Sequence, residues 1–312
     1  MRIRFRLAYD GTKYHGWARQ PNLETVQGTI ENALNEILRI KKGEQPVRLV
    51  VAGRTDTGVH AAEQVCHADI DEDILLRCKG HMPDSFICQA LQRRLSAVLP
   101  QDIVIMKIDF APEGFDARFS AEDRVYVYRI AENPEDADPR IRSFVLQYRY
   151  ELDVEKMNQA AQCAIGLHDF GSFATPNPGG TTIRKVKYAF WQRVSDTNVV
   201  PAEYCGESGE TSGREASDYA VKSVESGLLT FTIIADAFAH NMVRSLVNAC
   251  LAVGRGKKTV EWMERKIRVP EREGQTGPAP ACGLTLEKVL YPEESMLAVR
   301  AQAIRAKRTL DE

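Results

Sequence analysis

The sequence predicts an α+β protein of two sandwich domains, each with a mainly antiparallel sheet. The chain has 312 residues, which is long enough for two hydrophobic cores. Segments with alternating apolar and polar residues predict strands, and segments with apolar residues three and four apart predict helices. These strands come in runs interrupted by single helices, which favours α+β sandwiches over a parallel doubly wound sheet.

The first predicted domain covers residues 1–108 and has four strands and two helices. Its first strand ends at the turn-forming pair Asp10-Gly11, and its second helix stops before Pro100. The predicted strands are residues 2–9, 46–52, 63–70 and 103–108, and the predicted helices follow apolar stripes that begin at Val26 and Phe86.

The second predicted domain covers residues 112–292 and repeats this plan. Asp153 is the expected N-cap of a helix that begins at Val154, and Gly166 stands where a C-terminal glycine belongs. A later helix ends at Gly254. The predicted strands are residues 125–130, about 183–194 and 228–235, and the later helix covers about 240–253.

Two segments depart from the plan. Residues 196–222 are rich in Gly, Ser and acidic side chains and lie between two predicted strands, so they are interpreted as a long hairpin loop or insertion. Residues 293–312 form an Ala-, Arg- and Lys-rich charged tail, which is predicted to be an exposed helix.

Composition narrows the class of protein. The seven cysteines are scattered and never form C-x-x-C, which argues against a disulfide framework and a zinc ribbon. The first residues alternate basic and apolar side chains instead of forming the apolar core of a secretion signal, and no segment is apolar enough to span a membrane. A cytoplasmic protein is therefore expected. The net charge of −2 neither indicates nor excludes a nucleic-acid partner.

Charge distribution gives a weak additional signal. Arg2, Arg4 and Arg6 alternate along the first strand, so they share one face of it. Such a row is either a solvated strand face or a phosphate-binding stripe.

The most informative segment is residues 53–61, Gly-Arg-Thr-Asp-Thr-Gly-Val-His-Ala, which lies between two predicted strands. Glycines bracket Arg-Thr-Asp, so the backbone can turn tightly and approach a ligand. Arg54 can neutralise and orient Asp56 and keep it ionised, as a nucleophile must be. The same residues also suit a simple turn with an Asx hydrogen bond and a surface ion pair.

This segment resembles the catalytic loop of the TruA family of tRNA pseudouridine synthases, G-R-T-D-x-G-V-H-A, and we call residues 53–61 the catalytic loop. Further blocks resemble the family's motifs in the same order. They are Tyr9-Asp10-Gly11 with Tyr14-His15-Gly16-Trp17, Phe115-Asp116-Ala117-Arg118-Phe119-Ser120-Ala121, Asp169-Phe170-Gly171-Ser172-Phe173, His240-Asn241-Met242-Val243-Arg244, and Gly283-Leu284-Thr285-Leu286 with Val289, Tyr291 and Pro292.

The resemblance implies the pseudouridine synthase fold, in which two RRM-like or ferredoxin-like sandwiches form a central cleft. It implies a homodimer without cofactor or metal that isomerises uridines 38, 39 and 40 in the anticodon arm of tRNA. Asp56 would be the nucleophile acting on a flipped-out uridine, and Tyr126 would pack against the uracil. Arg54 and Arg244 would hold Asp56 and a phosphate, respectively.

Three departures from the family pattern are visible. Thr57 replaces a common Ala, residues 196–222 are extra, and Val125 and Val127 flank Tyr126 where basic residues are frequent, which could weaken phosphate contact. Other functions left open are a non-catalytic RNA-binding α+β protein, a synthase acting on other tRNA positions, and a carbohydrate hydrolase that uses Asp56.

Overall fold

The structure is a computed structural model. It describes residues 1–83, 86–133, 135, 137–176, 180–195, 223–272 and 277–303. The predicted insertion 196–222 and the last nine residues of the charged tail lie outside the described residues.

The described part of the chain contains ten strands. Buried side chains alternate with partly exposed ones along the first strand, as expected when one face of a sheet is packed. The strands are β1 (Arg2–Tyr9), β2 (Val50–Val51), β3 (His60–Asp69), β4 (Ile103–Phe110), β5 (Asp123–Ala131), β6 (Leu146–Gln147), β7 (Gly166–Asp169), β8 (Ile183–Arg193), β9 (Leu229–Ala235) and β10 (Leu284–Leu290).

The helices are amphipathic, and several begin at a side-chain cap. Thr25 accepts a hydrogen bond from the Gly28 amide, and Asp153 accepts one from the Lys156 amide, so the predicted N-cap at Asp153 is confirmed. The helices are α1 (Val26–Ile37), α2 (Glu72–Leu76), α3 (Ile87–Val98), α4 (Val154–Gln162), α5 (Met242–Gly254), α6 (Val260–Arg268) and α7 (Leu297–Ala303).

The described strands form one mixed, mostly antiparallel sheet in the order β4-β1-β3-β10-β5-β9-β8-β7, with β2 on β3 and β6 on β5. Only β10 with β3 and β5 with β6 pair in parallel among the described strands. The predicted α+β class is confirmed. Because β10 joins β3 to β5, one sheet runs through both halves of the chain. The division into domains 1–108 and 112–292 stays a prediction.

Three of the predicted features differ from the structure. The predicted strand 46–52 contains only the two strand residues of β2. Gly166 has φ of +119° and begins β7 instead of ending α4, whose last residue is Gln162. Tail helix α7 is only partly exposed, because Leu297 and Ala301 are buried.

The two faces of the sheet differ, and this difference places the candidate site. Side chains alternate along β5, so Tyr126 and Tyr128 lie on the buried front face and Val125, Val127 and Arg129 on the opposite, back face. Within the described residues, none of the helices has both the length and the apolar character that crossing a bilayer requires. Every described cysteine is unpaired, whereas Cys205 lies outside the described residues.

Candidate active site

The catalytic loop links β2 to β3 and fits closely against the chain that follows β1. A side chain at Gly11 would place its Cβ only 2.0 Å from the Val59 carbonyl oxygen. Gly16 has φ of +84°, and its Cβ would lie 2.8 Å from the Thr55 carbonyl oxygen. The block that begins at Tyr9 therefore needs these glycines in order to receive the catalytic loop.

Hydrogen bonds hold the catalytic loop in this position. The Trp17 amide donates to the Thr55 carbonyl at 3.0 Å, and the Gly58 amide donates to the Tyr14 carbonyl at 3.3 Å. The Thr55 hydroxyl is buried and lies 2.7 Å from the Tyr9 hydroxyl. The residue before Asp56 is thus fixed on both its backbone and its side chain, which limits the positions that the Asp56 carboxylate can take.

Asp56 itself stays accessible, with 26% of its side chain exposed. One carboxylate oxygen, Oδ1, lies 3.5 Å from His240 Nε2, and the other, Oδ2, lies 3.7 Å from Arg244 Nη1. Both partners come from the block at the start of α5, far from Asp56 in sequence. The fold therefore brings two of the recognised blocks together around one carboxylate.

Hydrogen bonds hold Arg244 in its position beside Asp56. Its Nε donates to the Ala279 carbonyl at 2.6 Å, and its own carbonyl accepts from the Ala279 amide at 3.0 Å. One turn later, Asn248 donates to the Gly277 carbonyl at 2.9 Å. The guanidinium is only 15% exposed and lies between this segment and Asp56. Little rotamer freedom remains to be lost when it orients the carboxylate.

The predicted contact between Arg54 and Asp56 is absent. Arg54 is exposed and forms no ion pair with any described residue, whereas Arg244, predicted to hold a phosphate, lies beside Asp56. A free surface arginine must lose side-chain entropy to form an ion pair, and a guanidinium already fixed by Ala279 has lost most of it. The more favourable partner thus comes from α5.

Arg124 links the catalytic loop to the segment between β9 and α5. This buried guanidinium donates to the carbonyls of Ala52, just before the catalytic loop, at 2.7 Å and of Asp236, just after β9, at 2.5 Å. It also donates to the Arg118 carbonyl at 2.9 Å. Burial lowers the pKa of Arg124. Its hydrogen bonds fix the spacing between the loop of Asp56 and the segment that leads to His240.

Tyr126 lies on the front face of β5 and is only 6% exposed. Its ring meets Phe238 edge-on at 87°, with 5.1 Å between the centroids. Burial raises the pKa of Tyr126, and the neighbouring Tyr9 and Asp56 raise it further. The hydroxyl is therefore neutral at physiological pH. Tyr128, by contrast, is fully buried and donates to the Pro280 carbonyl at 2.7 Å, so it has a structural role.

Two departures from the family pattern, Thr57 and the valines beside Tyr126, do not involve His240 or Arg244. Val125 and Val127 point to the back face of β5, so basic residues there would lie on the face opposite Tyr126. Thr57 is exposed at the surface of the catalytic loop.

Carboxylates neutralise two of the three arginines in the row Arg2, Arg4 and Arg6 on β1. Arg2 forms a bidentate pair with Asp69, at 2.8 Å for each contact, and Arg4 forms one with Asp109 at 2.7 and 2.9 Å. A phosphate would have to displace a carboxylate at both positions. These contacts favour the structural interpretation of Arg2 and Arg4.

Two residues at the site were not singled out by the sequence. His240 is 54% exposed beside Asp56, and the sequence marks it only as part of the block that contains Arg244. Phe238 packs on Tyr126, and only its position two residues before that block could have pointed to it. Among the described residues, no group of three or more His, Cys, Asp or Glu side chains could hold a metal ion.

Comparison with known proteins confirms the family that the sequence blocks resemble. The sequence model of the family described as tRNA pseudouridine synthase matches residues 7–120 and 160–292. A protein of Bifidobacterium longum named tRNA pseudouridine synthase A is 57% identical over 311 residues, covering 99% of both chains. Proteins of the same name from Corynebacterium glutamicum and Streptomyces avermitilis are 40% and 38% identical, each over 99% of this chain and 95% of their own. With these matches spanning both sides of the site around Asp56, the chain belongs to the tRNA pseudouridine synthase family.

Proposed function

We propose that this chain, an isomerase of the tRNA pseudouridine synthase family, converts uridines 38, 39 and 40 of the tRNA anticodon arm to pseudouridine, with Asp56 as its nucleophile. One observation carries the assignment to Asp56. Its carboxylate is accessible within a loop that is otherwise fixed, and a histidine and an arginine contact its two oxygens.

The reaction requires the target uridine to leave the base stack, because its glycosidic bond is otherwise out of reach. The bond from N1 to C1′ breaks, the uracil rotates, and C5 joins C1′. C5 then loses a proton while N1 gains one, so the product is an isomer of the substrate. A carboxylate suits this chemistry because it can capture an electrophilic carbon of the flipped nucleotide, as in retaining glycosidases.

The neighbouring residues support Asp56 in distinct ways. Arg244 orients the carboxylate from its anchor on Ala279. Tyr126 packs against the edge of the uracil, and its neutral hydroxyl can donate a hydrogen bond to the base. Arg54, exposed and without an ion pair among the described residues, binds a tRNA phosphate.

Tritium release from tRNA labelled at uracil C5 tests the proposal. Asp56→Asn keeps the shape of the side chain but removes its nucleophilic oxygen, so it is expected to bind tRNA and release no tritium. Thr57→Ala, an exposed position in the same loop, is the matched control and should keep full activity. Undiminished release by Asp56→Asn would exclude Asp56 as the nucleophile.

The choice of uridines and the assembly state need separate measurements. Pseudouridine mapping in the labelled tRNA should place the product at positions 38, 39 and 40, and product elsewhere would support a synthase of different site choice. The proposal includes a cytoplasmic homodimer. Light scattering of the purified protein should give twice the mass of one chain, and a monomer mass at working concentrations would remove the dimer from the proposal.

A further inference from the structure

A cavity lies on the back face of the sheet, away from Asp56. It has a volume of about 370 Å³ and crosses the strands β4, β1, β3, β10 and β5. The 3₁₀ helix Pro139–Phe144 covers part of it through Ile141 and Phe144. Because Tyr126 points to the front face of β5 and Arg129 to the back, the cavity and the candidate active site lie on opposite faces of the sheet.

The cavity is rich in carboxylates. Asp10, Asp102, Glu225 and Glu287 line it, and Arg129 is the cation among its lining residues. Asp102 is already occupied, because it accepts from the Tyr14 hydroxyl and pairs with Lys13, each at 2.6 Å. Asp10, Glu225 and Glu287 carry more negative charge than Arg129 neutralises, so the lining has a net negative charge.

These three acids each keep an oxygen without a partner among the described residues. Arg129 binds Oε1 of Glu225 at 2.7 Å and Oε1 of Glu287 at 2.8 Å, so Oε2 of each is free. Asp10 Oδ1 accepts hydrogen bonds from the amide and the hydroxyl of Thr12, which leaves Oδ2 free. Carboxylate oxygens without partners at a partly enclosed cavity favour a positively charged ligand.

Thr285 gives an independent sign of a missing partner. It lines the cavity, is 6% exposed, and its buried hydroxyl oxygen has no hydrogen-bond partner among the described residues. Thr285 pairs with Val127 in the sheet, and alternation places its side chain on the back face. Buried hydroxyls are nearly always hydrogen-bonded, so this one points to a ligand with a polar group.

The spacing of the acids indicates an elongated organic cation. No cluster of described His, Cys, Asp and Glu side chains is tight enough to hold a metal ion. Asp10 follows β1 and Glu287 lies on β10, two strands away, so their backbones are separated by about 10 Å at ordinary strand spacing. Apolar residues also line the cavity, and they are Ala8, Ala61, Ala62, Val104, Ile141 and Phe144.

We propose that this cavity is a binding site for a linear aliphatic polyamine. Its terminal ammonium groups pair with Asp10 at one end and with Glu225 and Glu287 at the other. Its methylene chain lies on the apolar wall between them, and an internal amine donates to the Thr285 hydroxyl. This site is independent of the reaction at Asp56 on the opposite face.

Titration calorimetry with spermidine at low salt tests the proposal on the full chain. The wild-type protein should bind one spermidine saturably, and putrescine, too short to reach both ends, should bind at least about tenfold more weakly. Glu287→Gln removes one terminal charge and should weaken spermidine binding about tenfold. Glu72→Gln, an exposed acid on α2, is the matched control and should change nothing.

A second variant protects the test against misfolding of Glu287→Gln, which also removes a partner of Arg129. Ala62 is exposed and lines the cavity, so Ala62→Leu fills the space without removing a charge and should abolish binding. Unsaturable heats, or an affinity that both variants leave unchanged, would overturn the proposal. Saturable Mg²⁺ binding that both variants weaken to the same degree would also overturn it in favour of an inorganic cation site.

Discussion

Replacing Arg244 by methionine tests the inference that this residue orients Asp56. Methionine keeps much of the apolar stem but removes the charge and the hydrogen bond to Ala279. Two unit charges about 4 Å apart interact by about 1 kcal/mol in water and about 4 kcal/mol at the effective dielectric of a protein surface. The observed separation is 3.7 Å, with 26% of Asp56 and 15% of Arg244 exposed.

Partial exposure screens this pair, so we expect it to contribute about 1–3 kcal/mol. If that energy serves the transition state, kcat of Arg244→Met should fall about 5- to 150-fold with little change in KM. The lost hydrogen bond should also lower the free energy of unfolding by about 1–2 kcal/mol. Single-turnover tritium release and urea denaturation measure the two effects separately.

The salt dependence of tRNA binding distinguishes orientation of Asp56 from contact with a phosphate. Arg244 is committed to Ala279 and Asp56, so Arg244→Met should leave the slope of log affinity against log salt unchanged. A slope that falls by about one unit would show that Arg244 binds a phosphate. A kcat within threefold of wild type would refute the orienting role.

Four further predictions follow from the same geometry. Arg54→Ala should reduce the salt slope by about one unit while kcat stays near wild type, measured in the same binding and turnover assays. Arg124→Leu leaves four backbone carbonyls without their donor and should lower the free energy of unfolding by about 3–5 kcal/mol in urea titrations. Gly11→Ala should lower the free energy of unfolding by more than about 2 kcal/mol, because its Cβ would lie 2.0 Å from a carbonyl oxygen of the catalytic loop. Gly43→Ala has open space around it and should lower that free energy by only about 1 kcal/mol, through backbone strain. Burial raises the pKa of Tyr9 from 10.0 to about 12, so the folded state keeps a proton that the unfolded state loses, and stability should fall as pH rises from 10 to 12; this fall should be shallower in Tyr9→Phe when unfolding is followed across that range.

Local patterns were sufficient to predict much of the fold. The alternation in residues 2–9 predicts β1 at its observed bounds, and the apolar stripe after Val26 predicts α1. Five of the described strands and α-helices were not predicted, and they are α2, β6, β7, α6 and β10. α6 (Val260–Arg268) is mostly polar, and its narrow apolar face is easily missed. β10 (Leu284–Leu290) was noticed only as a motif, because its position between β3 and β5 depends on long-range pairing.

In the candidate active site, too, local patterns predict some features and long-range packing determines others. The residues of the catalytic loop, including Asp56, were identified from the motif that they form within one segment. The choice between Arg54 and Arg244 as the partner of Asp56 depends on how α5 docks against that loop, and no local pattern contains this information. Proximity in sequence favoured Arg54, whereas packing of Arg244 against Ala279 decided the outcome.

The proposed function depends on Asp56 carrying out the isomerisation. The most direct test is to map pseudouridine in the tRNAs of host cells whose only copy of this protein is either wild type or Asp56→Asn. We expect Asp56→Asn to accumulate as a folded, tRNA-binding protein while positions 38, 39 and 40 keep unmodified uridine. Wild-type levels of pseudouridine at those positions in the Asp56→Asn cells would contradict the claim.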